Sequence, residues 1–271
     1  MPSLAADCRV SPSAALVGAR RTFRVLQVIT PSHMSGAETQ LVRMVQRMEQ
    51  RGHSLPVLVK HGGDVPAEMR RRGIDPATGR IGGKANLFAP LVIGRAARRL
   101  EAEIVQSALS TASWWCGWLE SLGGPPSLGH VHGFTSAAWH RRQRHLLAVS
   151  QSVKDDLVAQ GIEPQRITVL PNAIDQAEFR PQRDPLAVRT ELGADATTPV
   201  VGTFAHLGEK KGHRELFAAI PRVVARVPNA QFWIVGRGVL TAELQQVAER
   251  GGVAPHVRFT GFRPDAADLM N

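Results

Sequence analysis

No apolar run in this chain approaches the roughly 18 residues that a membrane-spanning helix needs. Cysteine is scarce, with only Cys8 and Cys116, far apart, in 271 residues. That excludes a disulfide framework and a cysteine-based metal site, and makes the cytoplasm the default compartment. Residues 1–21 are rich in Ala, Ser and Pro and hold a short apolar patch, Ala14 to Val17. They lack the charged start and apolar length of a secretory signal, so a flexible leader is expected. Acidic residues are outnumbered, 23 against 33 Lys and Arg, for a net charge of +10. No zinc finger, recognition helix or aromatic RNA-binding signature accompanies the charge, so nucleic acid is not the expected partner. The basic clusters (Arg20-Arg21, Arg70-Arg71-Arg72, Arg98-Arg99, Arg141-Arg142 with Arg144) suit a phosphorylated substrate or an anionic membrane surface.

What is present is an alternation of strand and helix patterns. Phe23–Ile29 is nearly continuous in apolar residues, as a strand buried on both faces must be. Leu41, Met44, Val45 and Met48 then mark one helix face, with Gly52 beyond its end. Further strands are expected at 55–59, 104–106, 127–131, 146–150 and 167–170. Helices are expected near 68–72, 87–100 and after Ser150, and the tryptophan patch Trp114–Trp118 reads as a buried helix. The second half repeats the pattern with strands 200–204, 231–235 and 257–260 and helices 214–227 and 241–250. Alternation at these lengths means parallel sheets with helices on both faces. The stretch 181–198, with prolines, charges and little periodicity, reads as a linker between residues 22–180 and 199–271. The expectation is an α/β protein of two facing Rossmann-like doubly wound domains, the second incomplete, with ligands in the crevice at the carboxyl ends of the strands.

The most informative stretch is Val200–His213. A buried strand, Val200 to Phe204, runs into a loop of glycines and cations that opens an amphipathic helix. Free backbone N–H groups at a helix start beside positive side chains hold phosphate; the alternative is an ordinary strand–helix turn with solvated lysines. Gly236-Arg-Gly238 after a strand lacks the third Gly and the following acidic residue of a dinucleotide fingerprint, which weakens any NAD reading. The histidines His130, His132, His140 and His145 have no Cys, Asp or Glu within the set to complete a familiar ligand pattern, and no metal is expected.

Seven segments in order resemble the family-4 retaining glycosyltransferases of the GT-B fold. They are Ser35-Gly-Ala-Glu38, His132, Ser150 through Leu157, Leu170-Pro-Asn-Ala-Ile-Asp175, Gly202 through Lys211-Gly212, Val235-Gly236-x-Gly238 and Arg258-Phe-Thr-Gly-Phe262. The resemblance spans about residues 23 to 271. It implies a nucleotide diphosphate sugar as donor, with Lys211 and the residue at His206 on the diphosphate. His206 stands where the family has Arg, and a histidine is only part-charged near neutral pH and lacks the planar fork. Lys210 offers a partial substitute. Ser35 and Gly36 match the turn that approaches the donor phosphates, although Ser35 also reads as a plain helix N-cap. His132 matches the histidine beside the transferred sugar. Gly236 and Gly238 line the nucleotide pocket, and Gly261, Phe262 and Arg263 lie against the base, with Phe262 as ordinary core the other reading.

The resemblance thus implies transfer of a hexose-type sugar from a UDP- or GDP-sugar to a saccharide or lipid-linked acceptor, with retention, in cell-surface polysaccharide or glycolipid synthesis. The place would be the cytoplasm or the inner membrane face. No Asp-x-Asp pair occurs, which disfavours metal-dependent transfer of the other major fold, and no cofactor is expected beyond the donor. The family's two glutamates separated by seven residues are expected beyond Asn271. Three alternatives stand beside this reading: a truncated non-catalytic fragment that binds nucleotide weakly, another GT-B enzyme such as a nucleotide-sugar epimerase, and a Rossmann dehydrogenase.

Overall fold

The computed structural model describes residues 21–174, 176 and 179–270. The expected leader lies outside these residues except for Arg21, as do Cys8 and Asn271. The chain divides into two compact units, residues 1–173 and 174–271.

The first unit alternates β1 (Val25–Ile29), α1 (Gly36–Glu49), β2 (Val57–Lys60), α2 (Val65–Arg71), β3 (Ala77–Gly79), α3 (Ala89–Arg99), β4 (Ile104–Ala108), α4 (Ser110–Ser121), β5 (Ser127–Val131), β6 (His145–Ala148), α5 (Gln151–Ala159) and β7 (Ile167–Val169). Its strands form one parallel sheet in the order β3-β2-β1-β4-β5-β6-β7. The period-2 alternation of strand side chains explains why helices cover both faces. Leu26 and Val28 of β1 and Leu58 of β2 enter a core with Ile93 of α3 and Trp115 and Leu119 of α4. Ile29, Val57 and Val59 point the other way, into a core with Leu41, Val42 and Val45 of α1 and Met69 of α2. Pro56 sits one residue before β2, where its missing N–H is not needed, and its carbonyl accepts from Gln27 N at 2.8 Å. Chain order reverses between β1 and β4, and such a switch point leaves a crevice at the carboxyl ends of the strands.

The second unit holds α6 (Pro185–Glu191), β8 (Val200–Phe204), α7 (His213–Val224), β9 (Gln231–Val235), α8 (Thr241–Arg250), β10 (Val257–Gly261) and α9 (Ala266–Leu269). Its described strands form a parallel sheet in the order β10-β9-β8. Phe217, Ile220 and Leu244 from α7 and α8 cover one face against Phe232 and Ile234. Residues 181–198, expected as a linker, instead belong to this unit. Asp184 caps α6, its carboxylate accepting from Leu186 N and Ala187 N, and Pro185 occupies the first helical position, where its fixed φ favours the helix. Val188 and Leu192 then pack on Trp233, Val235 and Leu269 and close the second face of the sheet. The boundary accordingly falls at 173/174 and not around 181–198.

Candidate functional site

Each unit carries candidate residues at the carboxyl ends of its strands. In the first, the loop after β1 delivers Ser35 and Gly36 to the switch point. That loop is braced from the side: Asp64 N donates to Ser32 O at 2.9 Å, and Lys60 Nζ to Ser32 Oγ at 3.0 Å. Ser35 is the N-cap of α1, and its backbone N donates to a carboxylate oxygen of Glu38 at 2.8 Å, as does its hydroxyl. The capping reading of Ser35 is therefore realised. A Cβ on Gly36 would meet nothing within 4 Å, so the space beside it is open.

Two strands away, His130 is the penultimate residue of β5 and His132 is the first residue after its end. Their rings lie 4.1 Å apart with an interplanar angle of 37°. Burial lowers the pKa of both. For His130 it falls to about 4, with the neighbouring His132 adding to the shift; for His132, the Glu38 carboxylate opposes the effect. Both rings are therefore neutral at pH 7. Glu38 is fully buried, and its Oε1, like His130 Nε2, has no hydrogen-bond partner. Between these segments Leu109, the residue after β4, holds φ 69 and ψ 166, a region that is essentially glycine's alone. Its amide donates to His130 O at 3.4 Å. Sequence reasoning passed over Glu38, which reads from its spacing as the partner of a capping box, and Leu109, whose strain only the backbone reveals. Among the described residues no group of three or more His, Cys, Asp or Glu is placed to hold a metal. His140 is buried elsewhere in this unit, while His145 pairs with Thr168.

In the second unit a pocket of about 430 Å³ opens at the ends of β8, β9 and β10, bringing together His206, Gly236, Phe262 and Arg263 with Phe204 and Arg237. Two glycines make this possible. At Gly236, with φ +146, a Cβ would sit 1.9 Å from Ala205 O, and at Gly238 it would sit 2.2 Å from Leu207 O. The loops after β8 and β9 are clamped backbone to backbone: Ala205 N donates to Val235 O at 3.1 Å and Leu207 N to Arg237 O at 3.0 Å. Gly236 N donates to the carbonyl oxygen of Gly261, which holds φ +71, at 2.8 Å. Phe262 is exposed, which removes the core reading. Arg263 is held by Asp265 and Glu191, and those carboxylates push its pKa upward.

Lys211 lies on the turn that leads into α7 and is exposed, outside the residues that line the pocket. Gly212, the N-cap residue before α7, lies in the left-handed region at φ 68, and among the described residues no side chain caps the helix. The first-turn N–H groups are consequently free for an anion. His213, buried in that turn, pairs its Nε2 with His206 O at 3.1 Å and so fixes the backbone of His206. Arg214, the next cation, is engaged by Glu209 and Glu243. Sequence reasoning missed Phe204, Ala205, Val235, Arg237 and Ala266 as lining residues, because each reads as strand, turn or helix start until three strand ends are brought together.

Residues 34–178 match the family model for Glycosyltransferase Family 4, and residues 198–271 match that for Glycosyl transferases group 1. The chain is 36% identical over 104 residues to a GDP-mannose-dependent monoacylated alpha-(1-6)-phosphatidylinositol monomannoside mannosyltransferase of Corynebacterium glutamicum. That match covers 38% of this chain and spans about a quarter (26%) of the relative's length. Among solved structures, HepE of Anabaena in complex with UDP superposes with a TM-score of 0.77 at 21% identity, over 91% of this chain and 71% of that one. A putative UDP-N-acetylglucosamine 2-epimerase of Listeria monocytogenes reaches 0.62 at 12% identity, over 92% and 72%. At such identities the likeness shows the fold, which is GT-B-like. With more than half of its residues matched by one family model, the chain belongs to Glycosyltransferase Family 4.

Proposed function

We propose that this chain takes part in moving a sugar from a nucleotide diphosphate sugar to a saccharide or lipid-linked acceptor, with the anomeric configuration retained. The observation that carries the reading is the second unit's pocket, with a clamped glycine loop on one side and the uncapped start of α7, flanked by Lys211, in the same unit. Such a site favours a group whose negative charge grows as the bond to the sugar breaks. Lys211, His206 and the α7 amides would stabilise the departing diphosphate, the type of interaction that contributes most to many enzymic rates. His132, its pKa lowered by burial, would hydrogen-bond the sugar. No protein nucleophile is assigned, and the donor is the only small molecule the proposal needs.

The mannosyltransferase relative is named for a phosphatidylinositol mannoside, which supports a lipid-linked acceptor. So does the first unit's surface. Phe88, Leu91, Arg95 and Arg98 follow one another at helical spacing along α3 and are exposed, beside exposed Leu87. Apolar residues continued by cations suit an anionic bilayer, and so a place at the inner face of the membrane. No described helix is long and apolar enough to cross one. Equal co-sedimentation with neutral and anionic vesicles would end the membrane part of the proposal.

The test of the main reading is release of UDP or GDP from UDP-glucose, UDP-N-acetylglucosamine and GDP-mannose, with calorimetric titration of UDP, GDP and NAD beside it. Lys211→Ala should weaken nucleoside diphosphate binding about tenfold or more. Binding without release from any donor would leave a nucleotide-binding fragment. Conversion of UDP-N-acetylglucosamine without release of UDP would select the epimerase reading, which the Listeria superposition supports. Binding of NAD alone would overturn both.

A further inference from the structure

The pocket's cations are not equally available. Arg263 is neutralised by Asp265 and Glu191, and Arg214, at the start of α7, by Glu209 and Glu243. His206 replaces the arginine that the family resemblance leads one to expect. Arg237 is different. It lines the pocket, and among the described residues its side chain has no ion pair and no hydrogen bond.

Its backbone is held firmly. Gly236 and Gly238 on either side approach Ala205 O and Leu207 O so closely that no other residue fits, and Arg237 O accepts from Leu207 N. Its side chain has a prepared bed. A Cβ on Gly261 would come within 3.3 Å of Arg237 Nε and 3.7 Å of Nη2, so the guanidinium lies across the bare backbone of Gly261 at the end of β10. A planar donor fork is thus placed at the pocket with its carboxylate-binding capacity unspent.

We propose that Arg237 is the phosphate-reading cation of this pocket and supplies the fork that His206 lacks, its ligand being the diphosphate of a bound nucleotide. The assignment rests on the nucleotide reading of the site made above. It adds a residue that neither the family matches nor the fold designates.

The test is calorimetric titration of wild type, Arg237→Gln and Arg237→Lys with UDP, GDP, uridine, guanosine and inorganic pyrophosphate. Arg237→Gln should weaken UDP, GDP and pyrophosphate by about ten- to hundredfold, as expected for loss of hydrogen bonds to a charged group. It should leave the nucleosides unchanged. Arg237→Lys, which keeps the charge and loses the fork, should fall between the two and covers the case in which the glutamine variant does not fold. Equal losses for nucleoside and diphosphate would overturn the proposal and place the guanidinium on the base. Unchanged affinities in a folded Arg237→Gln protein would also overturn it, with the nucleotide reading intact. If wild type bound pyrophosphate through Arg237 but neither UDP nor GDP, the anion site would stand and the nucleotide reading would fall. Binding of none of the five would end both.

Discussion

His140 offers a quantitative test of the first unit's interior. It is 1% exposed, and neither ring nitrogen has a hydrogen-bond partner. Burial, with a contribution from the Lys84 cation, lowers its pKa from 6.5 to about 4. The folded protein therefore binds fewer protons than the unfolded chain between those values, so stability is complete above about pH 6.5 and is lost as pH falls toward 4. At 1.36 kcal/mol per pKa unit, the move from 6.5 to about 4 corresponds to about 3 kcal/mol, about three quarters of it gone by pH 4.5. His140→Leu removes the titration and two unpaired polar atoms at similar volume. The variant should be at least as stable as wild type at pH 7.5, since a buried unsatisfied polar group costs about 1–3 kcal/mol. At pH 4.5 it should be further ahead by about 2–3 kcal/mol. Urea unfolding followed by tryptophan fluorescence measures this in a Trp233→Phe background, where the remaining four of the five tryptophans (Trp114, Trp115, Trp118 and Trp139) all lie in the first unit. His130, with the same acid sensitivity, is present in both proteins and cancels in the difference. Parallel pH profiles for variant and parent would refute the reasoning, because they would mean that a protonated His140 finds a partner on charging.

Gly236→Ala, whose Cβ would overlap Ala205 O, should destabilise the second unit by about 3 kcal/mol or more in a thermal melt. Gly252→Ala, at φ +66 in the left-handed region with nothing within 4 Å, should cost only about 1 kcal/mol. A double-mutant cycle on Arg263 and Glu191 should return a small favourable coupling that shrinks in high salt, as a partly exposed pair requires. His206→Arg should raise UDP or GDP affinity about fivefold or more by restoring a fixed charge and fork; unchanged calorimetric affinity would show that position 206 does not reach the phosphates.

How much of this was legible in the sequence follows from where the information resides. β5, β8, β9 and α8 have the bounds their apolar runs and periodicity predict; β5 and β9 are buried along most of their length, whereas β8, with Val201 and Gly202 exposed, is not the buried strand expected. β3 escaped because Ala77 and Thr78 of this three-residue edge strand are exposed, and an edge paired on one side demands no apolar pattern. α6 escaped because Pro185 reads as a breaker, whereas with Asp184 capping it marks a helix start. In the pocket, the glycines were visible because close backbone approach admits nothing else. The cations were not, because a sequence shows how many charges exist and not which of them find partners. Lys211, His206, Arg214, Arg237 and Arg263 are all cationic or titratable in sequence, yet folding sets Arg214 between Glu209 and Glu243 and Arg263 between Asp265 and Glu191. The net charge of +10 therefore says little about what the pocket binds. Of the two arginines that line the pocket, folding pairs Arg263 with carboxylates and leaves Arg237 without a partner among the described residues.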